Sequence, residues 1–346
     1  MTSLERVLTT LSHREPDRVP FFLLATMHGA KETGLSLRDY FGEAANVVEG
    51  QRRLRNKYHD DAFYSFHYAS LEIEAWGGET IFRDDGPPNS GEPIIKNPER
   101  IAYLVPPRIG EAPVLRRVLE VIKALNELAK GEMPVIGVVM SPFSIPVMQM
   151  GFEAYLDLVF DRPELHALLM RVNSDFCVEW GNAQLASGAA AIVYFDPVSS
   201  PTIIPPDIYR KTGFPIACDC LRRINGPVVI HLASGIALPI IDELTQTGAV
   251  GIGISGGEDL DELKSACRGR LAMVGNLNGI TMRTWTTQQA ENTVRETITR
   301  AGLGGGYILA DNHGEIPWQV PDEVLSAISE AVHVWGRYPL GQAGRT

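Results

Sequence analysis

The amino-acid sequence predicts an α/β protein, a single (β/α)8 barrel of the TIM type with an insertion after the second strand. Three observations carry this. Short runs rich in Val, Ile and Phe alternate with longer segments of helical periodicity, there are eight such runs, and one turn-rich stretch interrupts the rhythm. Strands that alternate with helices require right-handed crossovers and a parallel sheet, and eight is the number that closes a barrel. The 346 residues suit one barrel of about 250 residues plus insertions, so the expected domain is 1–346 with the insertion at 77–107.

In order, the strand runs are Val19–Leu24, Ala62–Phe66, Pro134–Met140, Ala191–Phe195, Val228–His231, Val250–Ile254, Leu271–Val274 and Tyr307–Ala310. Phe152–Phe160 and Pro163–Leu185 read as helices after the third run, and Pro206–Arg223 as the helix after the fourth. Thr286-x-x-Gln289 is a capping box opening a helix to Arg300, and Pro321 suits the first turn of a helix ending at Trp335. Gly77–Pro107 contains Gly77-Gly78, Asp84-Asp85-Gly86-Pro87-Pro88 and Pro93, a density of turn residues that reads as a hairpin-like insertion. Gly304-Gly305-Gly306 precedes a strand, the wrong side for a phosphate cradle, and is expected to be a helix-to-strand turn. A doubly wound open sheet is the competing architecture. It would carry a glycine-rich turn after its first strand, where this chain has Ala25-Thr-Met-His-Gly29.

Composition excludes several function classes. With 45% hydrophobic and 21% charged residues the chain is not of a disordered type. Thirty-one basic against 42 acidic residues give a formal charge of −11, which repels phosphate backbones and anionic lipid, so no nucleic acid or membrane partner is expected. The opening Met1-Thr-Ser-Leu-Glu5 carries charge at once and no run approaches a membrane span, so a cytoplasmic protein is expected. Cys177, Cys218, Cys220 and Cys267 form no CxxC pair and fit free thiols in a reducing compartment.

Barrel enzymes place their chemistry at the carboxyl ends of the strands. Those ends bring Met27 and His28, then His67 and Tyr68, Ser141-Pro142-Phe143, Asp196-Pro197 and His231-Leu-Ala-Ser234. Ser255-Gly-Gly-Glu258, Asn276-Leu-Asn278 and Asp311-Asn-His313-Gly-Glu315 follow. Four of the eight histidines thus fall at strand ends, where imidazole serves as acid, base or metal ligand. His231 and His313 follow hydrophobic strands directly and are the leading candidates; Asp196, His67 and Tyr68 are further candidates for catalysis. Met27, His28, Phe143, Asn276 and Asn278 are candidates for substrate binding, and His231, His313 and Asp311 for a metal. A strand-end histidine can equally bond a loop carbonyl, and Asp196 can equally cap the following turn. HExxH, paired CxxC, a His-x-His after the first strand and a serine nucleophile elbow are all missing, so metal ligands would have to come from separate strands.

The chain resembles the uroporphyrinogen decarboxylase superfamily. The resemblance is carried by Leu4-Glu-Arg-Val-Leu8 with Arg14-Glu-Pro-Asp-Arg-Val-Pro20, by Glu74-Ala-Trp-Gly77 and by Ser141-Pro-Phe-Ser144. Pro227-Val-Val-Ile-His-Leu-Ala-Ser-Gly235 and Val274-Gly-Asn-Leu277 extend it over essentially the whole chain. It implies a single barrel, and one of two chemistries: decarboxylation of uroporphyrinogen, or methyl transfer to or from corrinoid cofactors, as in methylcobalamin:coenzyme M methyltransferases.

The departures from each branch matter. The decarboxylases grip substrate carboxylates with an arginine-bearing segment and use an aspartate after the second strand. Here Ala25–Ala30 holds no arginine and Tyr68 stands where that aspartate is expected. The methyltransferases bind zinc through His-x-Cys and a later Gly-Cys. Here His231 is kept, but Ala233 and His313 stand at the cysteine positions. Losing thiolates leaves a metal more Lewis acidic, suited to an oxygen leaving group rather than a thiol nucleophile. The expectation is therefore a corrinoid-dependent methyltransferase acting on a small methylated compound, a methyl ether being the leading donor. The expected cofactors are cobalamin and, held by the histidines, zinc. The DxHxxG pattern of cobalamin-carrying domains is missing, so a separate corrinoid protein is the expected partner. The resemblance also implies a homodimer. A tetrapyrrole decarboxylase and a non-catalytic binding barrel are the alternatives.

Overall fold

The computed structural model describes residues 1–341. The strands, in chain order, are β1 (Phe63–Tyr64), β2 (Thr80–Ile81), β3 (Asn89–Ser90), β4 (Val135–Met140), β5 (Ala191–Phe195), β6 (Val228–His231), β7 (Gly251–Gly253), β8 (Ala272–Leu277) and β9 (Tyr307–Asp311). β1 and β4 through β9 form one sheet in sequential order, and every neighbouring pair is parallel. The helices between them supply the crossovers, as the alternation predicts.

The first expected strand, Val19–Leu24, is not a ladder strand. Pro20 has no N–H to donate, and the N–H groups of Phe21 and Leu24 go to the carboxylates of Asp61 (3.0 Å) and Asp311 (2.9 Å). The run nevertheless holds the eighth position. Phe22 N–H donates to Leu309 O and Leu309 N–H to Pro20 O, both at 2.9 Å, while Asp61 N–H donates to Phe21 O at 2.8 Å. Phe21 thus bridges the last strand and the approach to the first, and the sheet closes into a barrel.

The closure is locked at the amino end by one carboxylate. Asp61, fully buried, accepts from Arg6 (2.7 Å), from Arg18 (2.6 and 3.0 Å), from Ser3 Oγ (2.9 Å) and from Phe21 N–H. Arg6 also forks onto Asp17 with two bonds of 2.7 Å. The charged residues of the N-terminal motif are therefore a structural clamp, far from the strand ends where chemistry sits.

Inside the barrel the period-2 rule sorts the side chains. Ile192 and Tyr194 of β5 are fully buried against the helices, whereas Val193 joins an interior cluster with Phe22, Ile136, Val274 and Ile308. Val7 of the helix Ser3–Leu11 packs into the same interior cluster.

The capping box Thr286/Gln289 opens the helix Thr287–Ala301, with Thr286 Oγ1 accepting from Gln289 N–H. Pro321 is the N-cap of Asp322–Trp335 rather than a residue of its first turn. The helix expected over Pro206–Arg223 is two, Pro206–Lys211 and Gly213–Arg223. Pro215 explains the break: in a continuous helix its ring would collide with the Lys211 carbonyl and leave it without a donor. The glycine triplet is a helix-to-strand turn with all three φ values positive, and a Cβ on Gly305 would stand 2.4 Å from Arg14 O.

The turn-rich insertion contains an antiparallel hairpin, β2 with β3, following a short helix Leu71–Ala75. Phe82 anchors it, packing edge-on against Tyr68 at 5.4 Å with the Arg38 guanidinium 4.6 Å above its ring. Gln319 ties it to the loop after β9 by donating to Asp85 O at 2.9 Å. Among the described residues no helix is long and apolar enough to cross a membrane.

Candidate active site

The inward-facing residues continue to the carboxyl ends of the strands, where a cavity of about 380 Å³ opens. Leu24, Met27, Tyr64, Phe66, Val138, Val193, Phe195, Val229, Val274 and Ala310 make its wall mostly apolar. Polar groups enter at a few points: His67, Tyr68, His231, Asp311, His313 and Glu315. An apolar pocket with a few convergent polar groups at this end of a barrel is the arrangement of an active site.

His231 ends β6, stacked on Phe195 with ring centroids 5.4 Å apart. Gly253 on the neighbouring strand makes room, since a Cβ there would lie 2.6 Å from His231 Cδ2. The turn that follows puts Ala233 in the left-handed region (φ 53°) and aims its N–H at His231 Nδ1, 3.0 Å away. Nδ1 is therefore an acceptor and the neutral ring carries its proton on Nε2. Burial, with His313 adding to it, pushes the ring's pKa down to about 4, so it is uncharged at neutral pH. His313 has the same polarity. With the Asn312 amide oriented so that its oxygen accepts from Gly256 N–H (2.7 Å), its nitrogen donates to Leu277 O (3.0 Å) and to His313 Nδ1. Burial also lowers the His313 pKa. Both imidazoles thus present Nε2–H groups as neutral donors.

This polarity does not fit the expected zinc site. An imidazole that ligates through Nε2 must carry its proton on Nδ1, where Ala233 N–H already points at His231. Among the described residues no three His, Cys, Asp or Glu side chains are grouped as they stand to hold a metal ion. All four cysteines are free, three of them buried, and none lines the cavity.

Two carboxyl groups border the cavity. Asp311 closes β9 with Oδ1 accepting from Leu24 N–H at 2.9 Å, and burial raises its pKa to about 7. Glu315 accepts from Thr26 Oγ1 and Met27 N–H, both at 2.5 Å, and burial raises it to about 8. Both therefore hold protons near neutral pH, the range where a general acid is most effective.

The other expected site residues divide. Met27 lines the cavity, but through apolar contact. His67 lines it with Nδ1–H donated to Ser65 O (2.9 Å) and the ring against Phe41, and burial lowers its pKa to about 4. Tyr68 lines it too, yet its hydroxyl donates to Glu74 at 2.8 Å, which occupies the proton expected for catalysis. Asp196 does not reach the cavity. Ser141, Ser144 and Ser199 donate to it at 2.5–2.6 Å, making it a buried tie between the β4 and β5 loops. Phe143 packs edge-on against Tyr155 and His166 instead. His28 is buried beside Pro317, donating Nε2–H to its carbonyl at 3.2 Å. Asn276 bonds Ser255 O, and Asn278 caps the turn at Ile280 and Thr281. These polar residues follow strands, but the loop geometry spends them on backbone groups.

Sequence reasoning missed Glu315, Phe66, Phe195 and the hairpin residues Pro87, Pro88 and Asn89 as site residues. The signal for the two aromatics was available: counting inward by two along β1 and β5 reaches both. It also missed Glu72, buried in the helix Leu71–Ala75 with Oε1 accepting from Met140 N–H at 2.8 Å. Burial raises the Glu72 pKa to about 8. Its folded pKa lies above the unfolded value, so its contribution to stability is full below about pH 4.5 and is lost as pH rises through 8. Glu72→Gln is expected to be more stable than the wild type at pH 8, by on the order of 3–5 kcal/mol, and equal to it near pH 4. Urea denaturation at the two pH values measures this.

A closed parallel barrel with a histidine-bearing apolar cavity at its strand ends is the build of a barrel enzyme. The chain belongs to the uroporphyrinogen decarboxylase family, whose model, Uroporphyrinogen decarboxylase (URO-D), matches residues 2–335. Among its relatives is a uroporphyrinogen decarboxylase of Xylella fastidiosa, 24% identical over 96% of this chain and 98% of that one. Another is the methylcobamide:CoM methyltransferase MtbA of Methanosarcina acetivorans, 26% identical over 61% of this chain and 62% of its own length. A methyltransferase from Methanosarcina mazei superimposes with a TM-score of 0.85 at 19% identity, covering 96% of this chain and 98% of that one. The family is enzymatic, and its members act as decarboxylases or as methyltransferases.

Proposed function

We propose that the protein is a corrinoid-dependent methyltransferase, moving a methyl group between a small methylated compound and a corrinoid carried by a separate protein. The observation that favours this over decarboxylation is the cavity lining. Among the described residues that form it there is no arginine or lysine, and its two carboxyls are themselves acidic groups. A substrate bearing eight carboxylates needs cations. A neutral methylated oxygen needs donors and a proton, which two imidazole N–H groups and Asp311 supply.

The cavity lies at the carboxyl ends of the strands, the face against which a corrinoid protein would dock. When bound, the corrinoid supplies the nucleophile that takes the methyl group in the demethylating direction. The apolar wall holds the donor with its methyl carbon turned to the mouth and excludes water from it. His231 Nε2–H and His313 Nε2–H bond the ether oxygen, and those bonds strengthen as the carbon–oxygen bond breaks and charge grows on oxygen. Asp311 then gives its proton to that oxygen, so the product leaves as a neutral alcohol or phenol and Asp311 as a carboxylate. Tyr68, turned to Glu74, serves to hold the hairpin.

Two measurements test this. Anaerobic incubation with cob(I)alamin and a panel of methoxylated donors is expected to consume the Co(I) absorbance with at least one donor. Absence of any reaction, with uroporphyrinogen losing carbon dioxide instead, overturns the proposal. The second is the pH profile. Asp311 holds its proton below about pH 7, so kcat/KM is expected to fall about tenfold per pH unit above that value. Asp311→Asn is expected to lower it by about 10²–10⁴ and to flatten the profile.

A further inference from the structure

Resting on the methyl-transfer reading, we propose that the methyl donor is an uncharged methoxyarene, and that the hairpin residues Pro87, Pro88 and Asn89 determine this specificity by closing over its ring. Shape, charge and anchoring each support it.

The cavity, about 380 Å³, is at the lower end of the range of about 300–1,000 Å³ found for small-molecule pockets, which admits a substituted ring and is far more than a methanol-sized donor would fill. Its wall carries the rings of Tyr64, Phe66 and Phe195, which offer flat faces for stacking. Its polar groups are few, with His231 and His313 close enough to influence each other, and the rest of the wall offers mostly apolar contact.

Charge narrows the class. A carboxylate on the ring would enter a mostly apolar lining that, among the described residues, has no arginine or lysine to pair it. Removing such a charge from water into an apolar wall with no cation to pair it opposes binding strongly. An uncharged ring avoids this cost.

The hairpin supplies the roof. Pro87, Pro88 and Asn89 line the cavity from the insertion rather than from the barrel. Phe82, under Arg38 and against Tyr68, fixes the hairpin's approach to the mouth, and the Gln319–Asp85 bond ties its tip to the loop carrying His313. Proline at two successive positions keeps this segment extended and stiff, so it covers the ring with little ordering cost.

The test is binding, which needs no corrinoid. Titration calorimetry of the full chain at pH 7 with 2-methoxyphenol and with 3-methoxybenzoate is expected to give at least fiftyfold tighter binding of the uncharged ring. Ile280, exposed at the rim, allows a charge to be added without disturbing the core, and Ile280→Lys is expected to narrow the ratio at least tenfold. Replacing Pro87 and Pro88 together by glycine is expected to weaken 2-methoxyphenol at least tenfold while the fold still melts cooperatively, a few degrees lower at most. Equal or tighter binding of 3-methoxybenzoate by the wild type, no binding of either ring, or no response to the hairpin change overturns the proposal. A clear preference for the uncharged ring without methyl transfer to cob(I)alamin would instead overturn the underlying reading and leave the site's specificity standing.

Discussion

His231→Ala is expected to lower kcat/KM for methyl transfer by about two to three orders of magnitude, the usual consequence of removing one pre-aimed donor to a developing negative oxygen. The ring is neutral, buried and held by Ala233 N–H, so it has no freedom to act otherwise than as an Nε2–H donor. Substrate affinity should change little, because the bond matters most when charge grows on the leaving oxygen. Truncation leaves Ala233 N–H without its partner, at a cost of about 1–3 kcal/mol, so a melting curve must accompany the kinetics. His313→Ala is expected to behave alike. If both donors serve one oxygen, as proposed, the double variant loses less than the product of the two single losses. Donors with electron-poor leaving groups should be the least sensitive. A His231→Ala enzyme that keeps wild-type kcat/KM would remove this residue from the mechanism.

Asp61→Asn is expected to destabilise the fold by about 3–5 kcal/mol, through a different cause. Asp61 is the shared acceptor for Arg6, Arg18, Ser3 and Phe21 N–H, and neutralising it leaves two buried guanidinium groups without their common counter-charge. The wild-type network is satisfied on every side, so the loss exceeds that of any exposed pair such as Arg52–Glu49. Because the clamp lies at the amino end of the barrel, kcat/KM at a permissive temperature should be preserved. Chemical denaturation and steady-state kinetics on one preparation separate the two effects. Loss of activity with unchanged stability would contradict the assignment of this motif to barrel closure.

The barrel was readable because its signal is local. β4 through β9 follow from hydrophobic runs between turn residues, and the capping box at Thr286 names its helix start to the residue. The first run shows where local reading stops. Its composition is that of a strand, yet Asp61 and Asp311 take two of its N–H groups, and both acceptors are remote in sequence. The site followed the same division. Strand ends nominated His231, His313 and Asp311, and all three line one cavity. The same rule nominated Asp196, Phe143, Asn276 and Asn278, which the loops turn toward serines, aromatic rings and backbone groups.

What the sequence by itself determined was the order of the elements, the residues at the strand ends, and the histidine and alanine that stand where the resembled methyltransferases carry cysteines. Periodicity and residue type are properties of the chain, so they survive any uncertainty about how the ends of elements bend. Only the tertiary structure decided what His231 and His313 can be. One backbone N–H from Ala233, and one amide from Asn312, make each Nδ1 an acceptor and leave the proton on Nε2 of two rings that line the cavity. The difference between a metal ligand and a hydrogen-bond donor is the position of one proton. That position is set by groups placed within about 3 Å only when the turn after each strand has folded.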